Sequence, residues 1–251
     1  MEKEAFEKER FSRSEMVLPK ESLALLREKT VAVFGAGGVG GAAIEALARM
    51  GVGKIHVIDA DVFSASNLNR QLLSTVSDLG KNKVEVALKR IKEIDPFIEA
   101  VGHNVFYLPE TADKIPFDKF DFIIDAIDTV SAKIDLAVKA KELDIPIVCA
   151  LGCGNRVDPT KLVITDISKT FNDPLAKVMR RKLKEAGIAN HKVVFSTEKP
   201  VKPQQNEEIA GFSDENKPFK KSVPGSLVFV PNVAGYLLAY ETFRCLISPS
   251  E

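Results

Sequence analysis

Tryptophan is absent from the 251 residues, and cysteine and tyrosine occur three times each. Cys149, Cys153 and Cys245 make an odd, widely spaced set without a C-x-x-C pair. That excludes a disulfide framework and a four-thiolate zinc site within one chain, and a reducing cytosol suits it. Net charge is also missing: 35 basic residues balance 35 acidic ones. A protein basic over its whole surface is excluded, while a local basic face is allowed. The apolar run at 233–247 contains Glu241 and Arg244 and is too short to span a bilayer. MEKEAFEKERFSR is charged from its second residue and is no signal peptide. His56, His103 and His191 are far apart and form no metal-ligand cluster. The expectation is a soluble, cytoplasmic protein.

What is present is an ordinary globular composition, 45% hydrophobic and 28% charged, enough for a core without staples. TVAVF enters a glycine turn, a helix of Ala, Ile and Leu follows to Gly51, and KIHVIDAD reads as a second strand. That is one βαβ unit. A helix over 82–94, strands over 100–104 and 120–128, a helix over 131–143 and a strand over 145–150 continue the alternation. The fold expected is α/β, a Rossmann-like, mostly parallel sheet with helices on both faces. A C-terminal mixed-strand region extends it: an edge strand at KLVITDISKT, a helix capped by Asp173 with Pro174 first, and a strand at KVVFSTEK. SLVFV reads as a strand before a closing helix, and the polar stretch 200–221 as a mobile loop. A single domain over 1–251 is expected: a helical lead-in at 1–29, a nucleotide-binding core at 30–152 and a substrate part at 153–251.

Gly35, Gly37, Gly38 and Gly40 lie in G-A-G-G-V-G, directly after a strand and opening a helix. Glycines allow the tight turn and let the backbone approach a phosphate, which the helix N-terminus attracts. Asp59, closing the next strand, is placed for ribose hydroxyls. This pattern alone serves a dinucleotide-dependent dehydrogenase equally well. The next segment separates the two readings. In SNLNRQ, Asn67 and Arg70 follow the ribose acid, and Lys83 comes after. A dehydrogenase does not need them there; an enzyme gripping a triphosphate does. Composition alone leaves the segment readable as a solvated loop, and Asp125 and Asp128 of DAID as strand-end acids capping the next helix.

GAGGVG, IDAD, SNLNRQ, Lys83 and DAID, in that order, resemble the ubiquitin-activating-like superfamily of adenylating enzymes, which includes ThiF, MoeB and HesA. The resemblance implies ATP as nucleotide, with Asp59 on the ribose and Asn67, Arg70 and Lys83 on phosphates. It implies that Asp128 helps bind Mg2+ with the nucleotide. Arg10-Phe11-Ser12-Arg13 matches a segment whose second arginine enters the partner's ATP site, so Arg13 implies a homodimer. Charge developing on phosphoryl oxygens would be stabilised by Arg13, Arg70, Lys83 and the metal.

The second half, from LGCGNRVDPTKL to PGSLVFVPNVAG, is similar to the tRNA-modifying branch of that superfamily. That branch uses ATP to close the threonylcarbamoyl side chain of an anticodon-loop adenosine into a ring. The implied route is a carboxylate adenylate attacked from within the modification, which needs no enzyme thiol. The alternative is activation of a small sulfur-carrier or ubiquitin-like protein at its C-terminus, against which the missing C-x-x-C pairs count. The resemblance also leaves open a cysteine-desulfurase or sulfur-acceptor partner, and an alkali-metal ion on backbone oxygens at 152–155. Cys149 reads as core, Cys153 as a small residue in a turn or a nucleophile, and Cys245 as packing. Independently of family, Lys177, Arg180, Arg181, Lys182 and Lys184 crowd one capped helix, with 177, 181 and 184 on one face. A basic stripe on a neutral protein suits tRNA phosphates; a solvated helix face is the plainer reading. Phe171 and Phe195 could stack a base but read better as core.

Overall fold

In β1 (Thr30–Phe34), Val31 and Val33 enter one apolar cluster while Ala32 and Phe34 enter another, and all four are buried. Alternation along a strand buried on both faces produces this division. The computed structural model describes residues 2–202 and 224–247, so the expected loop at 200–221 lies almost wholly outside the described residues.

The other strands are β2 (Lys54–Asp59), β3 (Glu99–Asn104), β4 (Phe122–Asp125), β5 (Ile147–Ala150), β6 (Leu162–Asp166) and β7 (Lys192–Ser196). They form one seven-stranded sheet in the order β3-β2-β1-β4-β5-β7-β6. All neighbours are parallel except β6, which pairs antiparallel with β7 as an edge strand. The chain moves outward from β1 to β3 and then returns to β4 on the other side of β1. This reversal opens a crevice at the carboxyl ends of β1 and β4, the usual ligand position in open α/β sheets.

One face carries α3 (Gly38–Met50), α4 (Lys83–Ile94) and α7 (Phe229–Ile247); the other carries α5 (Val130–Glu142) and α6 (Pro174–Glu185). α3 and α7 touch backbone to backbone, since a Cβ on Gly235 would lie 2.2 Å from the Val39 carbonyl oxygen. The lead-in comprises α1 (Lys3–Phe11) and α2 (Lys20–Glu28). It is pinned by Asp95, fully buried at the end of α4, which pairs with Arg10 and, at 2.7 Å, with Arg27. Phe11 lies beneath both guanidinium groups.

Four expectations need correcting. SLVFV is not a strand: α7 begins at Phe229 and includes Pro231, whose missing N–H costs nothing in a first turn. The strand expected over 120–128 stops at Asp125, because the chain there bends over the glycine turn. Cys245 and Phe171 are exposed, although Phe171 keeps an edge contact with buried Phe195.

His56 is buried between Phe120 and His103, its Nδ1 2.9 Å from His103 Nε2. Burial and the second imidazole push its pKa down to about 4, and burial does the same to His191. Unfolded imidazoles therefore bind protons first, and stability held above pH ~6.5 is lost as pH falls toward ~4. Unfolding free energies from urea titrations should fall by on the order of 2 kcal/mol across that window, lowering the midpoints, and His56→Phe should flatten part of the slope. A pH-independent midpoint between those values would refute this account.

Candidate nucleotide site

Gly35 leaves β1 with φ +93°, a conformation open to glycine, and donates its N–H to the Ile58 carbonyl at 2.7 Å. A Cβ there would meet the Ala126 carbonyl oxygen at 2.7 Å, and one on Gly40 would meet the Gly35 carbonyl oxygen at 1.7 Å. The glycines thus seat the turn against the loop leaving β4 and against the first turn of α3. Gly37 caps α3 without a side chain, and Gly38 faces Arg70 and Pro231. The N–H groups at this helix start point into the crevice mouth.

Asp59 ends β2 with both oxygens committed: one accepts from Ala36 N and the other from Asp61 N, each at 2.7 Å. A carboxylate has further lone pairs, so this grip orients Asp59 while leaving acceptor capacity for a ribose. In the short 3-10 turn Ala65–Asn67, the Asn67 side-chain oxygen accepts from Ser64 N at 3.1 Å. What Asn67 can offer a phosphate is therefore its amide N–H2. Arg70 is half-buried. Its Nη1 donates to the Ser66 carbonyl (2.9 Å) and Asn69 Oδ1 (2.8 Å), and burial lowers its pKa.

Lys83 is nearly buried, with Nζ 3.0 Å from Asp61 Oδ2 and its backbone N–H on the Asp61 carbonyl. Its charge is thus compensated by an acid two residues past Asp59. Asp128 is exposed, two residues beyond the Ala126 that covers the glycine turn. Asp125 points the other way: fully buried, it accepts from Lys133 Nζ at 2.9 Å and from Ile127 N at 3.2 Å. It is an ion-pair member rather than a helix cap. Sequence reasoning also missed Asn232, which donates to the Arg70 carbonyl at 3.1 Å and fixes that wall to α7. Arg13 is exposed on the turn leaving α1.

Cys149 is core, and burial pushes its thiol up. Cys153 lies in the turn after β5, where burial pushes its thiol up to about 12, unsuited to a nucleophile. On α6, Asp173 caps Ala176 N at 3.0 Å and accepts from Gly152 N at 3.1 Å. Lys177, Arg181, Lys182 and Lys184 are exposed, whereas Arg180 is tied to the Thr170 carbonyl at 2.8 Å. Among the described residues no group of three or more His, Cys, Asp or Glu could hold a metal. Magnesium needs only one carboxylate beside phosphate oxygens, and exposed Asp128 fits that. In the 152–155 turn, Asn155 O already accepts from Val201 N and Asn155 Oδ1 from Gly225 N.

A parallel sheet with a glycine turn, an oriented ribose acid and cations at its switch point defines a nucleotide-binding α/β protein. The ThiF family model matches residues 11–251, and the chain belongs to that family. It is similar to the tRNA threonylcarbamoyladenosine dehydratase of Bacillus subtilis, 42% identical over 243 residues and 96% of both chains. It is also similar to that of Escherichia coli, 35% identical over 207 residues, 79% of this chain and 77% of the relative. The E. coli tRNA N6-threonylcarbamoyladenosine dehydratase, solved in complex with ATP, superposes with a TM-score of 0.83 at 30% identity. That match covers 96% of this chain and 94% of the other.

Two glycines in one motif should behave oppositely. Gly40→Ala, facing a carbonyl 1.7 Å from its new Cβ, should cost at least ~3 kcal/mol and abolish ATP binding. Gly37→Ala, with its nearest neighbour at 3.9 Å, should stay within ~1 kcal/mol of the parent. Thermal melts with and without ATP decide it, and equal losses would contradict the packing assigned to the turn.

Proposed function

We propose that the protein uses ATP to adenylate the carboxylate of N6-threonylcarbamoyladenosine in the tRNA anticodon loop and closes that side chain into a ring. A substrate carboxylate oxygen attacks the α-phosphate, and pyrophosphate leaves. A nucleophilic atom of the modification then attacks the acyl carbon, loses its proton and expels AMP. The sum is loss of one water from the nucleoside, its oxygen carried off in AMP. The observation that carries this reading is likeness through both halves of the chain, including the acceptor half that nucleotide binding alone does not require.

In this reading the N–H groups around Gly35, Gly37, Gly38 and Gly40 approach the phosphates and Asp59 takes the ribose. Asn67, Arg70 and Lys83 face the phosphate charge that grows during attack. Lys83 would exchange Asp61 for a phosphate oxygen, so a cation already held out of water changes partner rather than losing solvent. Mg2+, held by Asp128 and phosphate oxygens, would neutralise charge on the leaving pyrophosphate. Arg13 completes the site from a second copy of the chain. The Lys177, Arg181 and Lys184 face binds tRNA phosphates, with Arg180 bracing it through Thr170. An alkali-metal ion would fall to the carbonyls of 152–154. The route uses no thiol, so neither Cys153 nor a sulfur-transfer partner has a step in it.

With threonylcarbamoylated tRNA and ATP, AMP should appear and the anticodon-loop nucleoside should lose one water by mass. Equal ATP consumption without that tRNA, or a covalent acyl adduct on a small protein, would overturn the proposal. Arg181→Glu should weaken tRNA binding and reduce the salt slope by ~1, with ATP affinity unchanged. Equal loss of ATP affinity would remove α6 from the tRNA surface.

The homodimer has its own test. Arg13→Ala and Arg70→Ala chains, each ~10²-fold slower alone, should recover about a quarter of parent activity when mixed and refolded. No recovery would place Arg13 outside the partner's site.

A further inference from the structure

Lys133 and Asp125 take no part in the steps above, yet both side chains are wholly buried. Lys133 has three N–H donors and three acceptors: Asp125 Oδ1 at 2.9 Å, the Ala150 carbonyl at 2.8 Å and Cys149 Sγ at 3.3 Å. Burial alone would push the ammonium down, but the Asp125 carboxylate and Cys149 together outweigh it and hold the group above its usual value. A buried pair of this kind is poor evidence for stability, because apolar side chains of similar volume often serve as well. Its location supplies a better account.

Asp125 is the last residue of β4, and Lys133 lies in the first turn of α5. Between them runs the loop that carries Ala126, which covers Gly35, and Asp128. The ion pair therefore closes the base of that loop, and the second oxygen-directed bond of Lys133 reaches the end of β5. Beyond Ala150 the chain enters the Gly152–Arg156 turn, which Asp173 ties to the start of α6. One ammonium thus joins the nucleotide side of the crevice to the acceptor side. Gly35 and Ala150 end strands two places apart, ~10 Å at the usual interstrand spacing.

We propose that Lys133 is a positioning residue. Through Asp125 and the Ala150 carbonyl it fixes the Asp128 loop against the acceptor turn, setting the distance across which carboxylate meets α-phosphate. The proposal rests on the adenylation reading. Lys133→Met alone would strand a buried carboxylate and risk misfolding, so the informative variant is Lys133→Met with Asp125→Asn, which removes both charges.

The folded double variant should bind ATP within ~3-fold of the parent and release AMP at least ~10-fold more slowly at saturating tRNA, as misplacement by about an ångström costs. The same two changes in an Asp128→Ala background should cost less than in the parent, because both act through one loop. Tenfold losses that multiply fully would overturn the proposal, as would a folded double variant with kcat within ~2-fold of parent. Should the double variant not fold, Lys133→Arg carries the test: retained ATP affinity with lowered kcat supports positioning, and unchanged kcat refutes it. A parent that releases no AMP with modified tRNA sinks the function reading itself, whereas an active parent beside an undiminished double variant sinks only the role of Lys133.

Discussion

The nucleotide crevice depends on one close approach: backbone against backbone where β1, α3 and the loop after β4 meet. Ala126 O lies 2.7 Å from where a Gly35 Cβ would be, and Gly35 O 1.7 Å from where a Gly40 Cβ would be, both too close for a carbon. No side chain can be interposed, so the start of α3 is set relative to β4 without adjustable parts. Asp59 then binds the N–H of Ala36 inside this turn, and the ribose acid acquires its orientation from the same contact. Pro231 of α7 packs on Gly38, which brings the C-terminal helix into the wall. Each later feature of the site hangs from that junction.

The electrostatics follow from it. Cations cannot be left bare in a part-buried crevice, and Lys83 and Arg70 each have a partner. Lys83 rests on Asp61, while Arg70 rests on neutral carbonyl and amide oxygens. The difference matters. Parting Lys83 from Asp61 separates an ion pair, whereas Arg70 surrenders bonds to neutral acceptors that no opposite charge reinforces. Arg70 is therefore the cheaper cation to redirect toward developing charge, and Lys83 the one more firmly held in place beforehand.

Much of this was legible in the sequence because it rests on local rules. The glycine spacing, Asp59 at a strand end, Asp173 as a helix cap and the alternation of strands all leave short-range marks. The failures came where distant segments decide. Nothing near Lys83 announces Asp61 as its partner; the two meet because β2 and α4 are brought together by a loop. SLVFV has strand composition, yet tertiary packing against α3 selects helix from Phe229 onward. Lys133 carries no mark that separates it from the other polar residues of its helix, and only its bonds to the ends of β4 and β5 show that it points inward. Asn232, 162 positions from Arg70, had no sequence signal at all.

The position of α6 explains how a neutral protein could engage a polyanion and deliver one nucleoside to the crevice. Asp173 caps the helix and binds the Gly152 N–H, so α6 starts at the carboxyl edge of β5 and runs away from it. Lys177 lies one turn from that edge and Lys184 ~10 Å further along, by the rise of 1.5 Å per residue. A backbone tracking this stripe is led to the acceptor turn rather than across the sheet face. Because Asp173 bonds both Gly152 N and Ala176 N, the basic face of α6 and the turn after β5 share one anchor. Phosphate contacts can then set register without reading any base.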